Sequence, residues 1–155
     1  MNYWLFKSEP NAYSYDDLVA DSTAEWDGVR NFQARNYLRD SIKAGDLVLF
    51  YHSNAKPPCV VGTASVVRSG YPDYTAWDPR SDHPDPKSSP DNPIWYMVDI
   101  QAKERFKQPI SLNEIRGNYL LSEMLLLRRG MRLSVQPISE EHYAIICHLG
   151  QIDKI

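Results

Sequence analysis

Five runs of apolar residues separated by turn signals constrain this chain more than any other feature. They are YWLFK (3–7), DLVLFYH (46–52), CVVGTASVVR (59–68), IWYMVDIQAK (94–103) and RLSVQPI (132–138). Each is rich in the aromatic and β-branched residues that fit a pleated surface. The first two are apolar on both faces and are expected to lie centrally. The fourth alternates, as a strand with one wet face does. The last alternates and is broken by Pro137, so it is expected at an edge. Gly62 interrupts the third run, which marks a bulge or a close approach to the backbone, either at a pocket floor or at a barrel corner.

Short helices are signalled between these runs. Ser14 with Asp17, and Ser111 with Glu114, have the spacing of a capping box, in which the first side chain and the fourth residue satisfy each other's backbone donors. Asn31 stands where an N-cap would stand, ahead of Ala34, Tyr37 and Leu38 on one helical face, and that helix should run about ten residues to Ala44-Gly45. Ser139 caps a last helix, with Ile138 and Tyr143 at staple spacing and Gly150 as its stop. Leu120 to Leu127 reads as a short helix or turn. Strands interleaved with short helices give an α+β class of five or six strands in one domain, 1–155.

Composition narrows the function. The 43% hydrophobic and 24% charged shares are those of an ordinary globular protein, without the apolar run of about 20 residues that spans a bilayer. The start, MNYWLFKSEP, is not a secretory signal, so a cytoplasmic location is expected, or a nuclear one in a eukaryote. Cys59 and Cys147 read as buried thiols. The histidines and cysteines lack metal-ligand spacing and no cofactor fingerprint is present, so neither a metal nor a cofactor is expected. A net charge of −3 argues against gripping a long duplex by many phosphates. Recognition of one or a few nucleotides by stacking and hydrogen bonds remains open.

The stretch WDGVRNFQAR, 26–35, suits that task. Trp26 offers a stacking plate, Asp27-Gly28 a sharp turn, Arg30 a fork of donors and Asn31 a helix start with its unpaired backbone N–H groups. Lys7, Ser8 and Glu9 stand at the mouth of the first strand, and His52 and Ser53 at the mouth of the second. From 69 to 93 the chain carries six of its eleven prolines and reads as a long loop. Tyr71, Tyr74 and Trp77 would be costly in water, so its first half should dock on the body as a lid.

Taken together, WLFKSEP, WDGVRNFQARN, FYHSN, YPD, TAWDPRSDHPDPKS and RLSVQPI resemble the EVE domain family from about Tyr3 to Leu149. The resemblance implies a PUA-like fold, a twisted β pseudo-barrel of five or six strands flanked by short helices, related to YTH and ASCH domains. It implies a pocket for a modified nucleobase, particularly modified cytosine, in nucleic acid or as a nucleoside. YTH domains hold a methylated adenine in an aromatic cage, and Lys7-Ser8 and Trp26 are similar in place to part of it. The further walls would come from Tyr71, Tyr74 or Trp77. The ligand-binding set is therefore Trp26, Arg30, Asn31, Lys7, Ser8, Glu9, His52, Ser53, Tyr71 and Trp77, with no catalytic residue. The alternative is an amidohydrolase acting on modified cytidine, as among ASCH relatives. Lys7, Ser8 and Glu9 would supply base, nucleophile and acid, although strand alternation keeps adjacent residues from converging.

Overall fold

The structure, a computed structural model, describes residues 1–152; the last three residues of the expected 1–155 domain lie outside the described part. Six strands form one mixed sheet: β1 (Tyr3–Ser8), β2 (Thr23–Glu25), β3 (Leu47–His52), β4 (Cys59–Pro72), β5 (Tyr96–Ser111) and β6 (Val135–Ile138), in the order β2-β5-β4-β3-β1-β6. The sheet does not close by hydrogen bonds, so β2 and β6 remain its two edges. β1 pairs in parallel with β3 along its whole length, Tyr3 opposite Leu47 to Ser8 opposite His52. The other pairs are antiparallel, among them the proline-broken β6 on β1. The short β2 carried no signal of its own in the sequence.

The β1 run dictates two cores. Successive side chains point to opposite faces, so Trp4 and Phe6 enter one cluster with Val48 and Phe50, while Leu5 enters a second with Leu47, Leu49 and Tyr51. Helix α1 (Tyr15–Asp21) and α2 (Phe32–Asn36) cover the first cluster through Tyr15, Leu18 and Ala34. Helix α3 (Leu112–Arg116) and α4 (Glu140–Leu149) cover the second through Ile115, Tyr143, Ile146 and Cys147. Within α1, Tyr15 and Leu18 are buried while Val19 is exposed.

The caps form as the sequence implies. Ser14 and Ser111 close capping boxes with Asp17 and Glu114, Ser139 accepts from the His142 N–H, and Asn31 accepts from the Ala34 N–H. The helix after Asn31 loosens after one turn. Its second half, Tyr37–Ser41, is a wide π turn closed by the Ile42 N–H on the Tyr37 carbonyl. At Gly62 the β4 register slips against β5. A Cβ there would lie 2.6 Å from the Tyr15 ring and 2.9 Å from the Glu104 carbonyl, so this glycine makes room for α1. Residues 120–127 hold two single 3-10 turns, Tyr119–Leu121 and Leu125–Leu127. Among the described residues no helix is long and apolar enough to cross a membrane.

Candidate functional site

An open cleft of about 920 Å³ lies where the end of β1, the β2 edge and the turn 26–31 meet, within the size range of small-molecule sites. Trp26 forms part of its wall. Its backbone N–H is pinned to the Val98 carbonyl on β5 (2.8 Å) and its indole packs on Phe6 (5.3 Å between rings) and edge-on against Phe50 (5.5 Å). The residue is only 8% exposed. The indole is therefore anchored in the first core and offers the cleft a fixed strip of its surface.

Lys7, Ser8, Glu9, Arg30 and Asn31 share this cleft with Trp26. All three residues of the Lys-Ser-Glu run contribute to the lining, Lys7 and Ser8 from the end of β1 and Glu9 from just beyond it. Ser8 Oγ donates to the Tyr13 carbonyl at 2.5 Å, and Lys7 Nζ reaches the Met131 carbonyl at 3.4 Å. Burial pulls the Lys7 amine below its ordinary pKa. Asn31 uses its Oδ1 as the α2 cap, 2.9 Å from the Ala34 N–H, so the cap engages its acceptor and not its Nδ2 donors. Arg30 is held inward by Asp73 (2.9 Å) and by the His83 carbonyl (2.8 Å), so part of its fork of donors is already engaged within the protein.

His52, Ser53, Tyr71 and Trp77 are not among the residues lining the cleft. The His52 imidazole accepts from the Tyr15 N–H through Nε2 (3.0 Å), supporting the start of α1, and burial lowers its pKa. Ser53 is tied by its N–H to the Ser8 carbonyl (3.0 Å). Tyr71 donates to Asp99 and to Glu25, lies beneath the Arg68 guanidinium, and so braces the cleft from behind. Trp77 is half-buried in the proline-rich segment, with its N–H on the Tyr74 carbonyl (3.1 Å). The aromatic ring that does join Trp26 on the wall is Tyr13, edge-on at 6.3 Å. The loop before α1 carries it there, and sequence reading gave no sign of it.

The second half of the proline-rich segment also reaches the cleft, through Asp82 and His83. Its anchor is Asp73. The buried carboxylate accepts from the Gly28 N–H, Arg30, the Thr75 N–H and the Thr75 hydroxyl. Burial pushes this carboxyl up, but the bonds from Thr75, Arg30 and Gly28 outweigh it and hold it below its ordinary range. Gly28 takes φ +78°, and a Cβ there would meet the His83 ring at 3.0 Å; the Asp-Gly turn lets that imidazole close on the backbone. Among the described residues, His83 Nε2 is buried without a hydrogen-bond partner, and Asp27 Oδ2 lies 3.5 Å from it.

Charge gives the cleft its character. Glu9, Asp21, Glu25, Asp27, Asp82 and Asp99 line it against Lys7 and the already paired Arg30. Such a lining favours groups that donate hydrogen bonds and disfavours phosphate inside the cleft.

The EVE domain family model matches residues 2–149. Mouse thymocyte nuclear protein 1 is 41% identical, the match covering 98% of this chain and 75% of the mouse protein. The structure of a hypothetical protein from Leishmania major superposes with a TM-score of 0.92 at 45% identity, covering 97% of this chain and 95% of that one. The human THYN1 protein, solved in complex with 5-methylcytosine-containing DNA, superposes with a TM-score of 0.89 at 38% identity over 99% of both chains. An ASCH protein from Zymomonas mobilis shares the fold at a TM-score of 0.54 and 9% identity.

Proposed function

This chain belongs to the EVE domain family, and from that premise we propose that it binds nucleic acid carrying a modified cytosine and takes the modified base into the Trp26 cleft. The observation that carries the reading is the wall itself, an indole locked by Phe6 and Phe50 beside an opening rich in hydrogen-bond acceptors. A base extruded from its stack needs an aromatic surface to replace the lost stacking and polar groups to meet its edge. The indole supplies the first and the lining carboxylates and Asn31 Nδ2 the second. The human relative bound to 5-methylcytosine-containing DNA supports the choice of base. Because the cleft is acidic, the protein's grip on phosphate is confined to a few contacts outside it. Affinity should then fall only gently with salt, compared with a protein neutralising many phosphates.

The test is fluorescence anisotropy with short duplexes that differ only in one 5-methylcytosine. Tighter binding of the methylated duplex is expected. Stacking is worth about 1–3 kcal/mol per base, so Trp26→Ala should weaken that binding roughly tenfold. Trp26→Phe, which preserves contact with Phe6 and Phe50, covers the case in which the alanine variant does not fold, and should lose part of the affinity. Equal binding of methylated and unmethylated duplexes by the wild type refutes the reading.

One observation favours a second reading. Lys7, with its pKa lowered by burial, shares the cleft with Ser8 and Glu9, the groups an amidohydrolase acting on modified cytidine would use. The Ser8 hydroxyl, however, donates to the Tyr13 carbonyl and is not aimed at the lysine. Release of cytidine from N4-acetylcytidine, lost in Lys7→Ala, would establish this activity; no product after prolonged incubation at high protein concentration would exclude it.

A further inference from the structure

Resting on the base-binding reading, we propose that Asp27 determines specificity by accepting a hydrogen bond from the exocyclic amine of the bound base, so that the cleft admits cytosine-type bases and rejects thymine. Three of the six lining carboxylates are already occupied. Asp21 accepts from the Tyr13 hydroxyl at 2.8 Å, Glu25 from Tyr71 and Tyr74, and Asp99 from Tyr71. Glu9 and Asp82 are exposed, as Asp27 is, but neither adjoins Trp26 in the chain. Asp27 differs from all five. It follows the stacking residue directly, its side chain is 39% exposed, and among the described residues the side chain paired with it is His83, at 3.5 Å, the outer limit of a hydrogen bond.

The backbone holds this carboxylate in place from both sides. The Trp26 N–H is fixed to β5 and the Gly28 N–H is fixed to the buried Asp73 carboxylate at 2.9 Å. Asp27 therefore cannot swing away with a flexible loop. A partly exposed carboxylate on so fixed a backbone, short of side-chain donors, is free to accept a hydrogen bond from a ligand. Burial is also the main cause that raises its pKa, with Asp73 adding to it and His83 opposing it.

The chemistry selects the donor. Cytosine and 5-methylcytosine present an N4 amine on the edge where thymine presents the O4 carbonyl, and a carboxylate accepts from the amine but repels the carbonyl. Thymine is a pyrimidine of the same size with the same 5-methyl group as 5-methylcytosine, so stacking on Trp26 and contact with the methyl cannot tell them apart. A group reading the edge that carries the 4-substituent and N3 can. His83 Nε2, buried beside Asp27, is placed to brace the carboxylate oxygen turned away from the base.

The assignment is tested with wild type and Asp27→Asn on duplexes in which the test base, 5-methylcytosine or thymine, lies opposite an abasic site. Neither base then has pairing to break. The reference duplex has abasic sites on both strands. Wild type should prefer 5-methylcytosine over thymine by about tenfold, the scale of one good base-edge contact. Asn presents an acceptor or a donor by rotating its amide, so the variant should bind both bases within about threefold of each other. A ratio unchanged by Asp27→Asn, with 5-methylcytosine still bound more tightly than the reference, overturns the role of Asp27 and leaves base binding standing. Wild-type binding no tighter than to the reference duplex overturns base binding itself, and this proposal with it. Asp27→Glu, which keeps the acceptor, should retain a preference for 5-methylcytosine that Asp27→Asn loses; an equal loss in both variants also counts against the proposal.

Discussion

Replacing Asp73 by Asn should loosen the joint between the Trp26 turn and the proline-rich segment, and the size of the effect follows from the four donors around that carboxylate. Oδ2 accepts from the Gly28 N–H and Arg30 Nη1, both at 2.9 Å, while Oδ1 accepts from the Thr75 N–H at 2.9 Å and the Thr75 hydroxyl at 2.5 Å. An amide has one acceptor. Turned with its oxygen toward Arg30, it sets its NH2 against the Thr75 N–H, and the hydroxyl must reverse to accept. Turned the other way, it confronts both Arg30 and the Gly28 N–H with a donor. The first arrangement loses one hydrogen bond to a charged group, worth about 1.5–3 kcal/mol, together with the attraction between Arg30 and a carboxylate of which nothing is exposed. Removing one partner of a fully buried pair costs about 3–5 kcal/mol. The Arg30 side chain is 22% exposed, so the total should fall below that, at about 2–4 kcal/mol. For a chain of this length each kcal/mol moves Tm by about 2–4 °C, giving a drop of roughly 4–16 °C at pH 7 by calorimetry. The sign of the pH dependence follows from the lowered pKa of Asp73. Its contribution is fully present above the unfolded carboxylate value near 3.8 and is lost as pH falls through the lower folded value, so the gap between wild type and variant should narrow below about pH 4. A drop of less than 2 °C at pH 7, or a gap that stays constant through acid pH, would refute the account of this joint.

Gly62→Ala drives a methyl group to 2.6 Å from the Tyr15 ring and should cost about 1–3 kcal/mol in overpacking, whereas Gly117→Ala, with its nearest atom at 3.4 Å, should stay within about 0.5 kcal/mol; chemical denaturation midpoints compare the two. Asp27→Asn should raise Tm at neutral pH, because a carboxyl whose folded pKa is raised destabilises the fold once it ionises. That gain should vanish below about pH 4, where the wild-type carboxyl is protonated in both states. His52 has a lowered folded pKa through burial, so its stabilising contribution is complete above pH 6.5 and declines as the unfolded state takes up a proton below it. His52→Gln, which keeps an acceptor for the Tyr15 N–H, should flatten the fall in Tm between pH 6.5 and 5, and a fall as steep as wild type contradicts that role.

The sequence by itself determined the features set by neighbours within a few residues. Alternation in YWLFK and DLVLFYH settled which side chains enter which core, because a strand's geometry sends successive residues to opposite faces. The Ser14, Asn31, Ser111 and Ser139 caps, the edge placement of β6 by Pro137, and Trp26 beside a turn were all legible on the same grounds. Tertiary structure alone decided the contacts between distant segments. It set β1 parallel to β3, placed β2 on an edge, left the sheet open, brought Tyr13 to the wall, withdrew Arg30 to Asp73, and delivered His83 from fifty-odd residues along the chain to face Asp27. No local pattern records these meetings. Each depends on how loops close in three dimensions, and the carboxylates around the cleft acquire their different states only from the burial and donors that this closure gives them.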